Sequence, residues 1–586
     1  MSPAQPRRPA APPNRGGADR NGALVVIALA AALLGAAGVV GMTRLLDGGG
    51  WRPVRLAAVP DVIAALVTRG SRWQASLPEN LRHHLPRARW RYALSAAIVL
   101  GGVAAGMLAR ARWQRRPRTP RAPELERDAR WACREDLQSL VLRRPEPGRV
   151  VLGRVGRRLL AAEVGHSLLV VGPTQSGKTS SLAVPALLEW QGPVVATSVK
   201  TDLLHATHAW RAHIGTSFVF DPAAVANLPR SGWSPLAAAA TWSGARRVAA
   251  ALCSVCRTGK SAMEDAEFWY ATAEKLLAPL LFAAAISGAA MDDVVRWVDT
   301  EEMDEVASIL ADVGNAAAVQ AAAASFSREE RQRSSVYATA ETVLAAYADP
   351  VVAATARRCD IDPARLVGAG ARDTCYLIAP AHEQERLQPV FVALLQAFLE
   401  ATFAEAARRN RPLDPPLLIV LDEAANIAPL DNLDALAATA ASHGVQVVTL
   451  VQDLAQLDAR YGARAATVVN NHRAKLVCSG VADPFTLEQM SRLVGEEECW
   501  SDSTSVDAHG LRSWTTSATS RPLAPPDAIR RLPPGEAILL YAHLPPVRLV
   551  LRPFYRDRRL VRQAGLNRAR GPRWRRHRPR RGWPRG

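Results

Sequence analysis

The chain has 586 residues, which excludes a single hydrophobic core and leads us to expect a membrane anchor with two or more globular parts. The formal net charge of +19 is uneven: residues 1–21, 43–91, 110–130 and 556–586 carry +3, +6, +5 and +12, which leaves −7 for residues 131–555. The seven cysteines show no paired spacing beyond Cys253-x2-Cys256, so we expect buried free thiols in a reducing cytosol rather than a metal site.

The first part of the chain predicts a membrane anchor. Residues 1–21 are rich in proline and arginine, which is typical of a disordered segment. Residues 22–42 and 92–109 are uncharged and mostly apolar, and as helices they reach about 31 and 27 Å, which is about one hydrocarbon thickness. A secretory signal peptide is the alternative for the first segment, but no soluble exported domain follows it. We therefore predict two spans joined by the loop 43–91, followed by a basic linker over 110–130 that rests on anionic headgroups.

The rest of the chain has the pattern of an α/β protein. Short apolar stretches, each ending at a polar residue or a turn, alternate with segments of helical period, which indicates a parallel sheet with helices on both faces. The predicted strands are residues 167–171, 194–197, 217–220, 374–379, 417–421, 445–451 and 475–478.

Strand signals vanish between residues 238 and 358, where the sequence is rich in alanine and helical by period. We predict an all-helical domain here, inserted into a nucleotide-binding domain made of residues 131–237 and 359–556. Residues 500–520 are rich in serine and threonine and are predicted to form a surface loop, and residues 557–586 are predicted to form a basic disordered tail.

The motif Gly-x4-Gly-Lys-Thr follows the first predicted strand and begins at Gly172. Its glycines let successive N–H groups face a phosphate, and the following helix adds its positive end. We expect Lys178 to reach the terminal phosphates of ATP and the Thr179 hydroxyl to ligate Mg²⁺. The predicted nucleotide-binding residues are Gly172, Pro173, Thr174, Gln175, Ser176, Gly177, Lys178, Thr179 and Ser180. Because ATP is cytosolic, this part of the chain and both termini are placed in the cytosol.

Two carboxylates follow the apolar strand that begins at Leu417. A buried parallel strand delivers its last residue to the carboxyl edge of the sheet, where the glycine loop also lies. We therefore expect Asp422 to hold the hydrated Mg²⁺ and Glu423 to polarise a water for attack on the γ-phosphate. The predicted catalytic residues are Lys178, Glu423 and Gln452. The predicted metal ligands are Thr179 and Asp422.

The next strand ends at Gln452, which in this geometry faces the γ-phosphate and reports its presence; a strand-end glutamine that caps a helix is the alternative. Lys200 and Asp202 close the second predicted strand at the same edge. A structural ion pair explains those two residues equally well.

Further motifs follow the glycine loop in a fixed order, and together they resemble the type IV coupling proteins, the membrane ATPases of conjugative DNA transfer and type IV secretion. The resemblance covers roughly residues 20–556. The motifs are Val195-Ala-Thr-Ser-Val-Lys-Thr-Asp-Leu, Phe220-Asp-Pro, Trp233-Ser-Pro-Leu, Leu421-Asp-Glu, Val451-Gln-Asp-Leu-Ala-Gln-Leu, Asn470-Asn471, Leu476-Val-Cys-Ser-Gly, Asp483-Pro-Phe-Thr, Arg521-Pro-Leu and Arg530-Arg-Leu-Pro-Pro-Gly.

The resemblance implies a RecA-like nucleotide-binding domain with an inserted all-α domain, preceded by two transmembrane helices, and a ring-shaped homo-hexamer in the cell membrane. It also implies that the ring recruits a relaxase–DNA complex and drives DNA, single- or double-stranded, or protein through the type IV secretion channel. ATP and Mg²⁺ are the implied cofactors.

One turn departs from the family pattern. Many members carry an arginine in the turn before the glutamine strand, a candidate trans finger for the nucleotide of the neighbouring subunit. Here the turn reads Ala440-Ala-Ser-His-Gly444. Arg331, Arg333 and Arg473 are alternative candidates, because they lie near matched motifs.

The tail from residue 556 has thirteen arginines, one acid and two tryptophans. Binding to DNA phosphates or to anionic lipid is physically reasonable, and a solvated disordered tail is the alternative.

Two other functions fit parts of the sequence. One is a docking receptor that binds ATP mainly to assemble, which the missing turn arginine favours and the intact Glu423 and Gln452 oppose. The other is a septal-type chromosomal DNA translocase, which usually has more spans and a terminal winged-helix module.

Overall fold

A computed structural model describes residues 129–257, 264–506 and 512–565, together with six isolated residues before them. The chain divides into two units, Met1–Leu125 and Glu126–Gly586, and the second is described below. Apart from the six isolated residues, the predicted N-terminal segment, spans, external loop and nearly all of the basic linker lie outside the described residues. So does the tail from residue 566 onwards.

Fourteen strands form in the described residues. They are β1 (Val141–Leu142), β2 (Val151–Val155), β3 (Arg158–Ala161), β4 (Leu168–Val171), β5 (Val194–Ser198), β6 (Ser217–Phe220), β7 (Thr374–Ile378), β8 (Leu417–Asp422), β9 (Val445–Val451), β10 (Ala474–Cys478), β11 (Glu496–Val506), β12 (Arg512–Pro522), β13 (Glu536–Tyr541) and β14 (Val547–Val550).

Twelve of these strands make one mixed sheet in the order β1-β3-β2-β14-β13-β10-β4-β9-β8-β5-β7-β6. The seven strands from β10 to β6 in this order are parallel. They coincide with the seven apolar stretches of the sequence, so the predicted parallel sheet is confirmed. Nearly every residue of these strands is buried, because helices cover both faces. The remaining five strands extend the sheet as an antiparallel ribbon that was not predicted.

The described helices connect and cover these strands. They are α1 (Val184–Glu189), α2 (Asp202–Ile214), α3 (Leu236–Ala239), α4 (Trp242–Arg257), α5 (Glu264–Ser287), α6 (Met291–Asp299), α7 (Asp304–Val313), α8 (Ala316–Phe326), α9 (Glu330–Leu344), α10 (Pro350–Ala356), α11 (Pro363–Leu366), α12 (Gln384–Arg409), α13 (Ala424–Ile427), α14 (Leu433–Thr439), α15 (Leu454–Tyr461), α16 (Ala465–Asn471), α17 (Pro484–Val494), α18 (Pro526–Arg530) and α19 (Arg558–Gln563).

Between β6 and β7 the described residues form helices α3 to α11 and no strand. These helices share a hydrophobic core with one face of the sheet, since Leu276 and Trp297 of the insertion and Leu169 and Val171 of β4 belong to one buried cluster. A second cluster on the other face contains α1, α2 and α19. The insertion therefore packs as part of the sheet's own core.

Among the described helices, α12 alone is long and apolar enough to cross a membrane. Its central residues, from Leu387 to Leu399, are largely buried in the cluster that the insertion shares with the sheet. That burial explains its apolar composition as the composition of a core helix.

Three sequence expectations need correction. Residues 500–520 are not a loop: the strands β11 and β12, rich in serine and threonine, pair in an antiparallel hairpin. The start of the tail is ordered, because α19 buries Leu560. The cysteines are all free thiols, but Cys133 and Cys359 are exposed rather than buried.

Candidate functional site

The glycine loop, residues 172–179, follows β4 at the carboxyl edge of the parallel sheet. The N–H of Gly172 donates to the carbonyl of Val451, the last residue of the neighbouring β9, at 3.2 Å. A Cβ at Gly172 would lie 2.8 Å from the Cβ of Cys478 and 2.8 Å from the Oγ of Ser176, so the loop backbone lies directly against the end of β10. Gly177 has a φ of 91°, a conformation that glycine adopts without strain.

Lys178 is 7% exposed and folds along the loop. Its Nζ donates to the carbonyl of Gly172 and, at 3.1 Å, to the carbonyl of Pro173. Burial lowers the pKa of Lys178, and the negative charges of Asp422 and Glu423 are among the influences that raise it. The ammonium is therefore positioned inside the loop, next to the predicted carboxylates.

Thr179 and Asp422 are joined directly. The Thr179 hydroxyl donates to Oδ2 of Asp422 at 3.0 Å, and the Thr197 hydroxyl donates to the backbone carbonyl of Asp422 at 3.2 Å. Burial raises the pKa of Asp422, which is 8% exposed, while the Thr179 hydroxyl and the Lys178 charge lower it. The two predicted metal ligands thus meet at the carboxyl edge, as expected from their places at strand ends.

Glu423 occupies a left-handed backbone conformation, with φ 55° and ψ 52°. Such a conformation is uncommon for a residue with a Cβ and turns the chain sharply after β8. The Asn426 amide donates to Oε2 of Glu423 at 3.4 Å, and the Gln388 amide of α12 donates to the Asn426 carbonyl at 2.6 Å. These contacts link the Glu423 side chain to α13 and, through Asn426, to α12.

Gln452 follows β9, one residue after the carbonyl that receives the Gly172 N–H. Its own N–H donates to Oε1 of Gln456 at 3.0 Å, so the Gln456 side chain caps the strand end. Gln452 is half-buried and adjoins the loop in the chain trace.

Lys200 and Asp202 are exposed beyond β5, and Asp202 lies in the first turn of α2. No ion pair of Lys200 is found in the part of the chain that the structure describes, so the structural ion pair proposed for it is not formed there.

The three alternative arginines occupy different places. Arg333 forms a 3.2 Å ion pair with Glu301 within the insertion, and Arg331 is exposed on the same helix. Arg473 precedes β10 and contacts Nε2 of His166 at 3.2 Å, at the sheet edge opposite the glycine loop. Within this chain the structure therefore brings none of them to the loop. The departing turn is a 3-10 helix, Ala440–His443, followed by Gly444 with a φ of 75°.

The residues present fit a magnesium ion. A hydroxyl and a carboxylate already in contact are hard oxygen donors, and Mg²⁺ is usually held by one or two such groups together with substrate phosphates and water. The described residues contain no cluster of three or more His, Cys, Asp or Glu side chains that could hold a metal ion.

Four residues that support the site at this edge were not predicted from the sequence. Asn426 and Gln388 contact Glu423 directly or through one residue, Thr197 holds the Asp422 backbone, and Cys478 packs under the loop. Burial raises the pKa of Cys478 to about 12, so its thiol is a neutral packing group. Asn426 alone carried a signal, its place three residues after the carboxylate.

Comparison with known proteins gives one family. The model of the family described as type IV secretory system conjugative DNA transfer matches residues 130–572. A conjugal transfer protein TraG of Escherichia coli is 27% identical over 463 residues, which are 70% of this chain and 71% of that protein. A VirD4 protein of Rhizobium rhizogenes is 25% identical over 431 residues, which are 70% of this chain and 61% of that protein.

Solved structures share the fold. The unbound bacterial conjugative coupling protein TrwB superposes with a TM-score of 0.55 at 20% identity, covering 70% of this chain and 89% of that one. TrwB in complex with ADP and Mg²⁺ gives a TM-score of 0.54 at 20% identity, covering 73% and 94%. At this identity the likeness concerns the α/β fold.

Proposed function

The chain belongs to the type IV secretory system conjugative DNA transfer family, the type IV coupling proteins, and on this premise we propose that it is a membrane-anchored, hexameric ATPase that couples ATP hydrolysis to DNA transfer. Its substrates are relaxase–DNA complexes or proteins, which it recruits and passes to the channel of a type IV secretion system.

The contact between Thr179 and Asp422 is the observation that carries the ATPase proposal. It brings a glycine-loop hydroxyl and a strand-end carboxylate together beside Lys178, the set of groups needed around the phosphates of ATP. Mg²⁺ when bound neutralises charge that develops on the phosphates. TrwB, which shares the fold, has been solved with ADP and Mg²⁺.

Each residue has a distinct part in this chemistry. The loop N–H groups and Lys178 bind the phosphates, and Thr179 and Asp422 hold the metal. Glu423 accepts a proton from the attacking water, and Gln452 lies where the γ-phosphate is sensed. Asp422 and Glu423 are consecutive in the chain, so the metal ligand and the base lie next to each other.

The anchor and the ring rest on the sequence and the family. The apolar segments 22–42 and 92–109 are long enough to span a bilayer, which supports a location in the cytoplasmic membrane with the nucleotide site in the cytosol. Because a trans finger belongs to a neighbouring subunit, a ring of subunits is needed to complete each site if an arginine is used.

The test is ATP turnover by the full chain in nanodiscs, with and without single-stranded DNA. Lys178→Ala is the inactive reference, and Lys275→Ala, an exposed lysine of α5, is the matched control. We expect DNA-stimulated turnover that Lys178→Ala abolishes and Lys275→Ala retains. Glu423→Gln should bind ATP normally and lose about 10²- to 10⁴-fold in turnover.

ATP binding without turnover by rings of the unaltered chain would contradict the motor. It would instead support the docking receptor that binds ATP in order to assemble.

A further inference from the structure

The last described helix, α19, is fixed onto the nucleotide-binding unit. Leu560 is fully buried against α1, and the Gln563 amide donates to the carbonyl of Leu188 at 3.3 Å. Arg552, just before this helix, forms a buried ion pair with Glu189 at the end of α1. The start of the basic tail therefore has a defined place on the fold.

The carboxylates near this helix already form ion pairs. Glu189 pairs with Arg552, and Asp557 pairs with Arg552 at 3.1 Å and with Arg154 at 3.0 Å. Burial raises the pKa of Asp557, but the charges of Arg552 and Arg154 and backbone N–H groups bring it below its ordinary value. Both carboxylates are thus matched by inward-facing arginines.

Three further arginines of α19 have no such match. Arg558, Arg559 and Arg562, here called the arginine surface, are exposed, and none forms an ion pair with a described residue. Like charges this close repel one another, so an anion bound between them is favoured.

A cavity of about 580 Å³ lies beside the arginine surface, lined also by Gln191 and Trp210. Both precede strands of the parallel sheet, so the cavity is at the edge opposite the glycine loop. The buried Nε1 of Trp210 and Oε1 of Gln563 have no hydrogen-bond partner among the described residues. Trp210 and Gln563 both belong to the residues that line the cavity.

The ligand is an extended polyanion rather than a single small anion. Residues 566–586 continue the chain from α19 with nine arginines, two tryptophans and no acid. Apolar side chains are also exposed near this surface: Val550 is 53% exposed beside Arg154 in the sheet, and Tyr555 is 46% exposed. Arginines mixed with exposed aromatic and aliphatic groups favour a membrane interface over a nucleic-acid backbone.

The position of the first described residues after the basic linker also favours a membrane as the ligand. The continuous described part of this unit begins at Ala129, and the N–H of Ala132 donates to the carbonyl of Pro546 at 2.9 Å, at one end of β14. The other end of β14 is beside Arg154, which contacts Asp557, the residue before α19. A strand of that length spans about 15 Å, so the arginine surface lies close to the point where the basic linker arrives.

We infer that the arginine surface docks on anionic phospholipid headgroups of the membrane that holds the anchor, with phosphates between the guanidiniums and a headgroup in the adjoining cavity. This inference rests on the membrane anchoring in the proposed function. Phosphatidylglycerol is one such lipid, with an anionic phosphate and hydroxyl groups in its headgroup.

The test is hydrogen–deuterium exchange of residues 553–565 in the full chain. The chain is placed in nanodiscs of phosphatidylcholine alone or with a third of phosphatidylglycerol. We expect exchange across α19 to slow several-fold in the anionic discs, because each arginine near such a surface strengthens association about fivefold. Added salt should reverse the effect.

Two triple variants separate the surface from bulk charge. Arg558→Gln/Arg559→Gln/Arg562→Gln should lose the protection, and Arg230→Gln/Arg246→Gln/Arg411→Gln, which removes three exposed arginines elsewhere, should keep it. Equal exchange in both discs would overturn the inference. So would protection by single-stranded DNA in phosphatidylcholine discs without protection by phosphatidylglycerol.

The same samples keep this result separate from the proposed function. Absence of ATP turnover with lipid protection present would contradict the ATPase alone. A chain that fails to associate with either disc would contradict the anchor, and with it the docking.

Discussion

The Thr179 hydroxyl donates a 3.0 Å hydrogen bond to the Asp422 carboxylate, and these two residues are 243 positions apart in the chain. The contact joins the glycine loop to β8 and makes the metal site an arrangement of both. It also buries an acid that ordinarily prefers water. Function and stability therefore oppose each other at Asp422.

Asp422→Asn should stabilise the nucleotide-free protein while abolishing Mg²⁺-dependent turnover. Because burial raises the pKa of Asp422 above its usual 3.8, the unfolded chain ionises first as pH rises, and the folded state loses relative stability across that window. The variant should melt higher at pH 8, by roughly 2 °C per kcal/mol gained. The advantage should shrink as pH falls towards 4.

Melting curves of both proteins between pH 4 and 8 measure this difference. If the difference in melting temperature between the two proteins stayed the same down to pH 4, ionised Asp422 would not destabilise the fold.

Asn426→Leu should lower kcat about tenfold and change KM for ATP by less than about twofold, because it releases the Glu423 carboxylate without touching the phosphate loop. Gln388→Leu should act in the same direction and more weakly, since it acts through the Asn426 carbonyl. Steady-state turnover over a range of ATP concentrations measures both constants. Asn426→Gln, which keeps the amide, should recover part of kcat; a rise in KM alone would contradict this positioning role.

Gly444→Ala should destabilise the fold far more than Gly370→Ala. Both glycines have a positive φ, 75° and 71°, so both substitutions incur a backbone strain of about 1–2 kcal/mol. A Cβ at Gly444 would also lie 2.8 Å from the Cα of Leu413, whereas nothing lies within 4 Å of one at Gly370. We expect a total loss of about 2–5 kcal/mol at Gly444. Urea unfolding measures both variants, and equal losses would mean that the turn before β9 has room to relax.

Arg552→Met should lower the free energy of unfolding by about 3–5 kcal/mol, because it leaves Glu189 buried without its partner. The double variant Arg552→Met/Glu189→Leu should recover most of that loss, since it removes both charges. Chemical denaturation of the two variants gives the comparison. A double variant as unstable as the single one would assign the loss to packing of α19.

The parallel half of the sheet was predictable because strands buried on both faces appear in the sequence as continuous apolar runs. The antiparallel ribbon was not, since β14 alternates buried and exposed residues over only four positions and β2 contains Gly153 and Arg154. The prediction of a loop at the hairpin of β11 and β12 was wrong, because it was based on the polar composition of these strands rather than on their strand propensity.

Some residues of the site could also be predicted from the sequence, and others could not. The predicted residues lie at or after the carboxyl ends of parallel strands, which meet at one edge of the sheet. They are Lys178, Thr179, Asp422, Glu423 and Gln452. Gln388 could not be found this way, because it reaches Asn426 from the second turn of the longest described helix, far from any strand end. The left-handed backbone of Glu423 likewise depends on what surrounds α13 rather than on any local glycine.

The hydrophobic cluster that joins the insertion to the sheet limits how this protein can diversify. Residues of α4 and α5 share this buried cluster with residues of β4 and α12. An insertion grafted from a relative at about 25% identity would meet a foreign surface and leave voids or clashes. A working chimera therefore requires its crossover points to lie outside α12, so that helix and insertion are inherited as a single block.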